Sequence, residues 1–78
     1  MNPRRIVILA YPGIQPLDVT GPAEVFAAAA QLGGDYAVEV VAKLREPIMT
    51  RGRSYGIVPA TTTAACSGPI DTLIIAGG

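Results

Sequence analysis

The chain passes from an apolar strand into an alanine-rich helix along Tyr11-Pro-Gly-Ile-Gln-Pro-Leu-Asp-Val-Thr-Gly-Pro-Ala-Glu-Val-Phe26. The residues before this turn, 4–10, contain a continuous run of β-branched and other apolar side chains. Such a run predicts a strand that is buried on both faces, as in a parallel sheet. One acid, Asp18, lies in the turn. Because open α/β proteins bind ligands beyond the carboxyl ends of their strands, this turn is the first candidate for a functional site.

The start of the helix is predicted from its capping residues. Gly21-Pro22 suits a first helical turn, so the helix is expected to begin at Leu17 or Pro22 and to extend to Leu32. Asp18 is able to cap this helix or to lie in its first turn, where the helix dipole favours a carboxylate. It is also placed to act as an acid or base toward a ligand. Spacing alone favours the cap, because caps are far commoner than catalytic acids.

The remaining elements follow from apolar periodicity. Val25, Ala29 and Leu32 fall on one helical face, and Gly33-Gly34 ends the helix. Residues 36–42 predict a second strand, so the chain begins with one right-handed βαβ unit. Residues 48–49 and 55–58 predict a short hairpin, residues 61–66 a short helical turn, and residues 71–76 a third apolar strand.

Composition restricts the function classes. The 78 residues make at most one domain, and half of them are apolar. The net charge is zero, which gives no general attraction to nucleic acid or to anionic lipid. The apolar runs are far shorter than the ~18 residues of a membrane span. A single cysteine fits a reducing, cytoplasmic setting. The chain has no histidine and its acids show no metal-ligand spacing, so neither a metal nor a cofactor is predicted.

The predicted layers leave one surface uncovered. Strands without a polar face need cover on both sides, but only one convincing helix is predicted. An apolar sheet face open to water aggregates or recruits a partner. We therefore expect residues 1–78 to be the N-terminal part of a larger domain, or to associate with a second copy.

Three further groups of residues are weaker candidates. Gly77 and Gly78 follow the third apolar strand, where glycine N–H groups are able to face an anion or simply form a turn. Cys66 precedes a strand rather than following one, so it is interpreted as a structural thiol and not as the nucleophile of an elbow. Arg51 and Arg53 flank a glycine and are interpreted as a solvated turn rather than a phosphate site.

Four stretches, in order, resemble the ThiJ/PfpI family of class I glutamine amidotransferase-like domains. They are residues 6–13 (Ile-Val-Ile-Leu-Ala-Tyr-Pro-Gly), 17–26 (Leu-Asp-Val-Thr-Gly-Pro-Ala-Glu-Val-Phe), 36–42 (Tyr-Ala-Val-Glu-Val-Val-Ala) and 70–78 (Ile-Asp-Thr-Leu-Ile-Ile-Ala-Gly-Gly). The Leu-Asp-Val-Thr-Gly-Pro core is similar to one branch of the family. That branch contains the N-terminal domains of AraC-family transcriptional regulators and the isonitrile hydratases.

The resemblance implies a flavodoxin-like three-layer α/β sandwich with a parallel sheet, about twice the length of this chain. In catalytic members an acid from the first strand–helix turn approaches a nucleophilic cysteine on a later elbow. Asp18 matches that acid, and Gly77 and Gly78 match the glycine pair of the oxyanion site. Cys66 does not match the nucleophile, whose position would follow residue 78. The helix-turn-helix module through which the regulators bind DNA would also follow residue 78.

Three functions therefore stand open. The favoured one is the ligand-sensing or dimerising part of an AraC-family regulator, which binds a small molecule and is not catalytic by itself. The alternative is part of a cysteine-dependent hydratase such as an isonitrile hydratase, with Asp18 as the acid/base or orienting carboxylate. The third is a non-catalytic chain that associates through its open sheet. None of the three has a membrane as a partner.

Overall fold

The computed structural model describes residues 3–75. The elements in chain order are β1 (Arg4–Leu9), α1 (Pro16–Gln31), β2 (Tyr36–Ala42), β3 (Ile48–Met49), β4 (Gly56–Ile57), β5 (Thr61–Thr62) and β6 (Thr72–Ile75). Four strands form a parallel sheet in the order β5-β2-β1-β6, and β3 and β4 form a separate antiparallel hairpin. Among the longer strands, β2-β1-β6 is the 2-1-3 order of flavodoxin-like sheets, so the predicted α/β class is confirmed.

Strand β1 is the centre of the sheet, as its apolar sequence predicts. It pairs with β2 over its whole length and with β6 over its last four residues. Ile6, Val7 and Ile8 are each at most 1% exposed. Since their side chains alternate between the two faces of the sheet, both faces are covered at this strand.

Helix α1 begins at Pro16, next to the earlier of its two predicted starts. Pro16 occupies the first turn, Gln15 is the N-cap without a side-chain hydrogen bond, and Pro22 lies inside the helix. Of the two predicted starts, the one at Leu17 is confirmed to within one residue, and the one at Pro22 is wrong. Proline suits a first turn because it lacks an N–H that would have no partner there, and Pro16 already satisfies that preference. The hydroxyl of Thr20 donates to the carbonyl of Pro16 at 3.1 Å.

The face of α1 that packs on the sheet also differs from the predicted one. Val25 and Leu32 are 66% and 90% exposed. The packed face carries Val19 and Ala23, which join the hydrophobic core, and Phe26, whose ring meets that of Tyr36 edge-on at 5.1 Å. The helix has two apolar stripes separated by small residues. Apolar periodicity alone does not distinguish between them.

The end of α1 agrees with the prediction. The N–H of Gly33 donates to the carbonyl of Ala30 at 3.2 Å, and the N–H of Gly34 donates to that of Ala29 at 2.8 Å. This pair of bonds is a Schellman motif, which requires a positive φ at its first glycine. Gly33 has a φ of 103°. The chain then enters β2 directly.

The opposite face of the sheet is covered in part by the crossover segment, defined as residues 63–71 between β5 and β6. Beneath it Val7 and Val41 are 1% and 3% exposed. Leu73 and Ile75 share this face through the β1–β6 register, yet they are 55% and 68% exposed. The expected uncovered apolar surface is thus confined to β6, because the crossover segment covers the centre of the sheet.

Of the short elements, the hairpin and the helical turn were predicted from the sequence, and strand β5 was not. The hairpin is confirmed, and Thr50 closes it, since its N–H and its hydroxyl both donate to the carbonyl of Tyr55 at 3.1 and 2.9 Å. The predicted helical turn is present as a single bond, from the N–H of Cys66 to the carbonyl of Thr62 at 2.9 Å. The sequence did not predict strand β5, because two threonines are too few to show the residue alternation of a strand. Within residues 3–75, no helix is long and apolar enough to cross a membrane.

Candidate functional site

Asp18 lies in the first turn of α1, shortly after the carboxyl end of β1. Its side chain is half buried, and its own N–H donates to the carbonyl of Gln15 at 3.1 Å. The carboxylate makes no hydrogen bond or ion pair with any part of the chain that the structure describes. The capping role favoured by spacing is therefore not what holds Asp18 in place. Its carboxylate is available to a group that approaches this end of the sheet.

The strand order explains why this end of the sheet suits a ligand. The chain moves from β1 to β2 on one side and returns through the crossover segment to β6 on the other. The carboxyl ends of β1 and β6 therefore flank the point where the winding reverses, which is where doubly wound sheets bind ligands. Asp18 follows β1 at this point. Gly77 and Gly78, predicted to follow β6, lie outside the described residues.

A cleft of about 450 Å³ opens beside the same edge, on the β2 side of β1. We name it the hairpin cleft. Its base includes the buried side chains of Ala10, Ala42 and Ile48. Its remaining lining residues come from the loops after β1 and β2 and from the hairpin: Tyr11, Pro12, Lys43, Leu44, Glu46, Pro47, Met49 and Arg53. Most of this lining is apolar, and the three charged side chains lie at exposed positions.

Backbone hydrogen bonds fix the hairpin against the loop that leads to Asp18. The N–H of Gly13 donates to the carbonyl of Met49 at 2.9 Å, and the N–H of Arg51 donates to that of Ile14 at 2.9 Å. Ile14 is fully buried in the core. The hairpin that lines the cleft is therefore bonded directly to the loop between β1 and α1, and this loop leads to Asp18.

The amino end of the sheet carries a polar cluster that the sequence did not predict. Arg5 of β1 and Glu39 of β2 form an ion pair through Nη2 and Oε1. The same Nη2 lies 3.4 Å from the Sγ of Cys66, and Nη1 donates to the carbonyl of Ser67. Arg5 and Glu39 stand on the face opposite α1, so they anchor the crossover segment there. The hydrogen bond to Glu39 is the main cause that raises the pKa of Arg5.

Backbone groups complete this amino-end cluster, which we define as Arg5, Glu39, Cys66 and Asp71. The N–H of Arg5 donates to Oδ2 of Asp71 at 2.8 Å. The N–H of Asp71 donates back to the carbonyl of Arg5 at 3.0 Å. The two residues thus join the start of β1 to the residue before β6. A lone Glu39 inside an otherwise apolar strand was the one sequence signal that could have pointed to this cluster.

Cys66 and Asp18 lie at opposite ends of the sheet. Cys66 contacts Arg5 near the start of β1, whereas Asp18 follows Ala10 beyond its end. Five residues of extended chain between Arg5 and Ala10 span roughly 16 Å. The structure therefore does not bring Cys66 to Asp18. Residues 3–75 also contain no group of three acidic, cysteine or histidine side chains that could hold a metal ion.

No protein-family model matches this sequence. A curated relative, an uncharacterized protein in the cpoL 5′ region of Streptomyces lividans, is 40% identical over 78 residues, which are 99% of this chain and 53% of the relative. The chain thus spans about half the length of the curated relative that it matches.

Solved structures show the same fold. A ThiJ/PfpI family protein from Pseudomonas syringae superposes with a TM-score of 0.84 at 28% identity, over 100% of this chain and 30% of the other. A DJ-1 superfamily protein from Agrobacterium tumefaciens gives 0.68 at 27% identity, over 96% and 38%. An AraC family transcriptional regulator from Pseudomonas putida gives 0.82 at 18% identity, over 97% and 48%, and so shares the fold. By its strand order, the chain has the fold of these ThiJ/PfpI and DJ-1 superfamily structures.

Proposed function

We propose that residues 1–78 are the N-terminal part of a ThiJ/PfpI-type domain that senses a small ligand, as in the ligand-sensing and dimerising part of an AraC-family regulator. One observation carries this proposal. Asp18 follows the carboxyl end of β1, beside the switch point, and its carboxylate has no hydrogen-bond or ion-pair partner in residues 3–75. An available carboxylate beside the switch point of an α/β sheet suits the binding of a small ligand. The shared fold with the Pseudomonas putida regulator supports the same assignment.

The reading frame after Gly78 tests this proposal most directly. A helix-turn-helix module after one α/β domain is the expected result, because DNA binding in such regulators resides in that module. The protein encoded by the whole frame should then bind an operator fragment with a ligand-dependent affinity in a gel-shift titration. A frame that stops after a single α/β domain would contradict the regulator assignment.

A second candidate is a cysteine-dependent hydratase, such as an isonitrile hydratase. The position of Asp18 beyond β1 favours it, since a carboxylate there could orient water or transfer a proton to a C≡N-type substrate. The whole reading frame would be assayed for isonitrile hydration with Asp18→Asn as the variant. Asp35→Asn is a matched control at an exposed acid outside the site. Full hydration by Asp18→Asn would exclude the proposed role.

A third candidate is self-association through β6. Leu73 and Ile75 expose 55% and 68% of their surfaces on the face that the crossover segment leaves open. Burying them against a second copy would remove apolar surface from water. Light scattering after size-exclusion chromatography should show an oligomer for the 78-residue chain, and a monomer for Leu73→Gln/Ile75→Gln. A monomer before any substitution would rule this candidate out.

A further inference from the structure

We propose that the hairpin cleft binds a small organic carboxylate with an apolar body. This is a second site, on the β2 side of β1 and separate from Asp18. It does not depend on whether the whole protein is a regulator or a hydratase.

The shape of the cleft fits such a ligand. Its volume of about 450 Å³ lies within the range of small-molecule sites, roughly 300–1,000 Å³. The buried base residues Ala10, Ala42 and Ile48 belong to the hydrophobic core or end the central strands, so they do not move to fill the space. An apolar ligand body would replace water against side chains such as Leu44, which is 56% exposed, and Pro47.

The charges on the rim select an anion. Lys43 and Arg53 contribute two positive charges to the lining, against one negative charge from Glu46. Within the described part of the chain, the side chains of Lys43 and Arg53 make no hydrogen bond or ion pair, whereas that of Arg5 makes several. A carboxylate between Lys43 and Arg53 would form charge-assisted hydrogen bonds, which are stronger than neutral ones.

The backbone of the hairpin turn fixes the position of Arg53 at the rim of the cleft. Arg53 has a φ of 56° and is the only non-glycine residue with a positive φ in residues 3–75. Glycine or asparagine would adopt this conformation more easily, so the turn holds Arg53, a lining residue of the cleft, at a conformational cost. The N–H of Arg53 donates to the carbonyl of Thr50 at 2.9 Å, which holds the turn in this shape.

The cleft is also formed before a ligand arrives. The bonds from Gly13 to Met49 and from Arg51 to Ile14 hold the hairpin against the first loop. Walls fixed in this way reduce the ordering cost of binding.

The test uses 2-naphthoate, an aromatic carboxylate, and the neutral 2-naphthamide of the same shape. Each is titrated into the ¹⁵N-labelled 78-residue chain, and amide chemical shifts are followed by NMR. We expect saturable shifts at Lys43, Leu44 and Arg53 with naphthoate, and an affinity at least about fivefold weaker with naphthamide. This comparison uses the unsubstituted chain, so it does not depend on the folding of a variant.

Charge-removing variants locate the anion contacts. Lys43→Gln and Arg53→Gln should each weaken naphthoate binding about 3- to 10-fold and leave naphthamide binding unchanged. Arg45→Gln and Arg51→Gln remove the same charge from neighbouring positions that do not line the cleft, and they should change the affinity less than about twofold. Equal weakening by all four variants, equal affinity for the two ligands, or shifts outside the cleft would each overturn the proposal. Shifts in the cleft amides that depend on protein concentration alone would assign the cleft to a second copy of the chain and would also overturn it.

Discussion

At the amino end of the sheet, Arg5 donates to Glu39 and to carbonyls of the crossover segment, and lies within 3.4 Å of Cys66. At the carboxyl end, the side chains of Asp18, Lys43 and Arg53 make no such contacts with the described residues. The two ends are separated only by the length of β1. Polar groups that satisfy one another hold a fold together, whereas those without internal partners are available to a ligand. The amino end is therefore interpreted as structural and the carboxyl end as functional.

The largest expected effect on the free energy of unfolding comes from a substitution in β1, the strand that runs between the two ends of the sheet. Ile8 is fully buried at the centre of β1, so Ile8→Ala should lower the free energy of unfolding by about 2–5 kcal/mol through lost burial and the cavity that remains. Ile75→Ala on β6 is the control, because that side chain is 68% exposed. Urea denaturation followed by circular dichroism measures both. Similar losses for the two variants would mean that β6 is covered in solution.

The second prediction removes the charge that organises the amino-end cluster. Arg5→Met should destabilise the chain less than Ile8→Ala but clearly more than Arg4→Met, because the Arg4 side chain is exposed and forms no ion pair with the described residues. The pairing with Glu39 raises the folded pKa of Arg5, so its contribution is fully present below the unfolded value and is lost only as the pH rises through the folded pKa. Thermal melts between about pH 6 and pH 9 should therefore show a constant difference between the two variants, since arginine stays protonated there. If the difference in stability between the two variants disappears within this pH range, the charge of Arg5 is not what holds the amino-end cluster together.

The third prediction concerns the acid that joins β1 to β6. Asp71→Ala removes the acceptor of the Arg5 N–H and should cost about 0.5–1.5 kcal/mol of unfolding free energy. Asp71→Asn retains an acceptor oxygen and should recover most of that loss. Asp35→Ala serves as the control, because no side-chain bond of Asp35 is found among the described residues. If denaturation shows that Asp35→Ala and Asp71→Ala lower the free energy of unfolding equally, Asp71 does not stabilise the fold as the acceptor of the Arg5 N–H.

The smallest stability effect is expected at the carboxyl end. Asp18→Asn should change the free energy of unfolding by less than about 1 kcal/mol, because only the helix dipole acts on this carboxylate within the described chain. The same variant should alter whatever ligand response the whole protein shows. A loss comparable with that of Ile8→Ala would instead make Asp18 a structural residue and would remove the contrast between the two ends.

Local sequence pattern accounts for the central strands and for one end of the helix. The apolar run from Ile6 to Ala10 predicts β1, and Gly33-Gly34 predicts the Schellman motif that the structure contains. The same reasoning leaves the start of α1 open between Leu17 and Pro22, because Pro16 and Pro22 both suit a first turn and spacing does not say which one is used. It also selects the wrong face of α1, since the contact between Phe26 and Tyr36 depends on how the helix lies on the sheet.

The candidate site was predictable in part. The position of Asp18 after the first strand follows from the chain order alone, whereas the hairpin cleft depends on how the hairpin docks against the first loop. The partners of Arg5 are Glu39, Cys66 and Asp71, which lie 34, 61 and 66 residues away in sequence. Only the strand register brings such distant residues together, and a single sequence contains no direct signal of it.

The pairing of β1 with β6 also affects the order in which the chain can be completed during synthesis. The bond between Arg5 and Asp71 spans 66 residues, and at about 5–20 residues per second the ribosome needs roughly 3–13 s to produce them. During that interval β1 is able to pair with β2 and to receive α1, but its other edge has no neighbour from the later strand. Strand β1 is thus made well before the strand that pairs with its second edge, which makes the nascent chain a substrate for chaperones that bind exposed apolar segments.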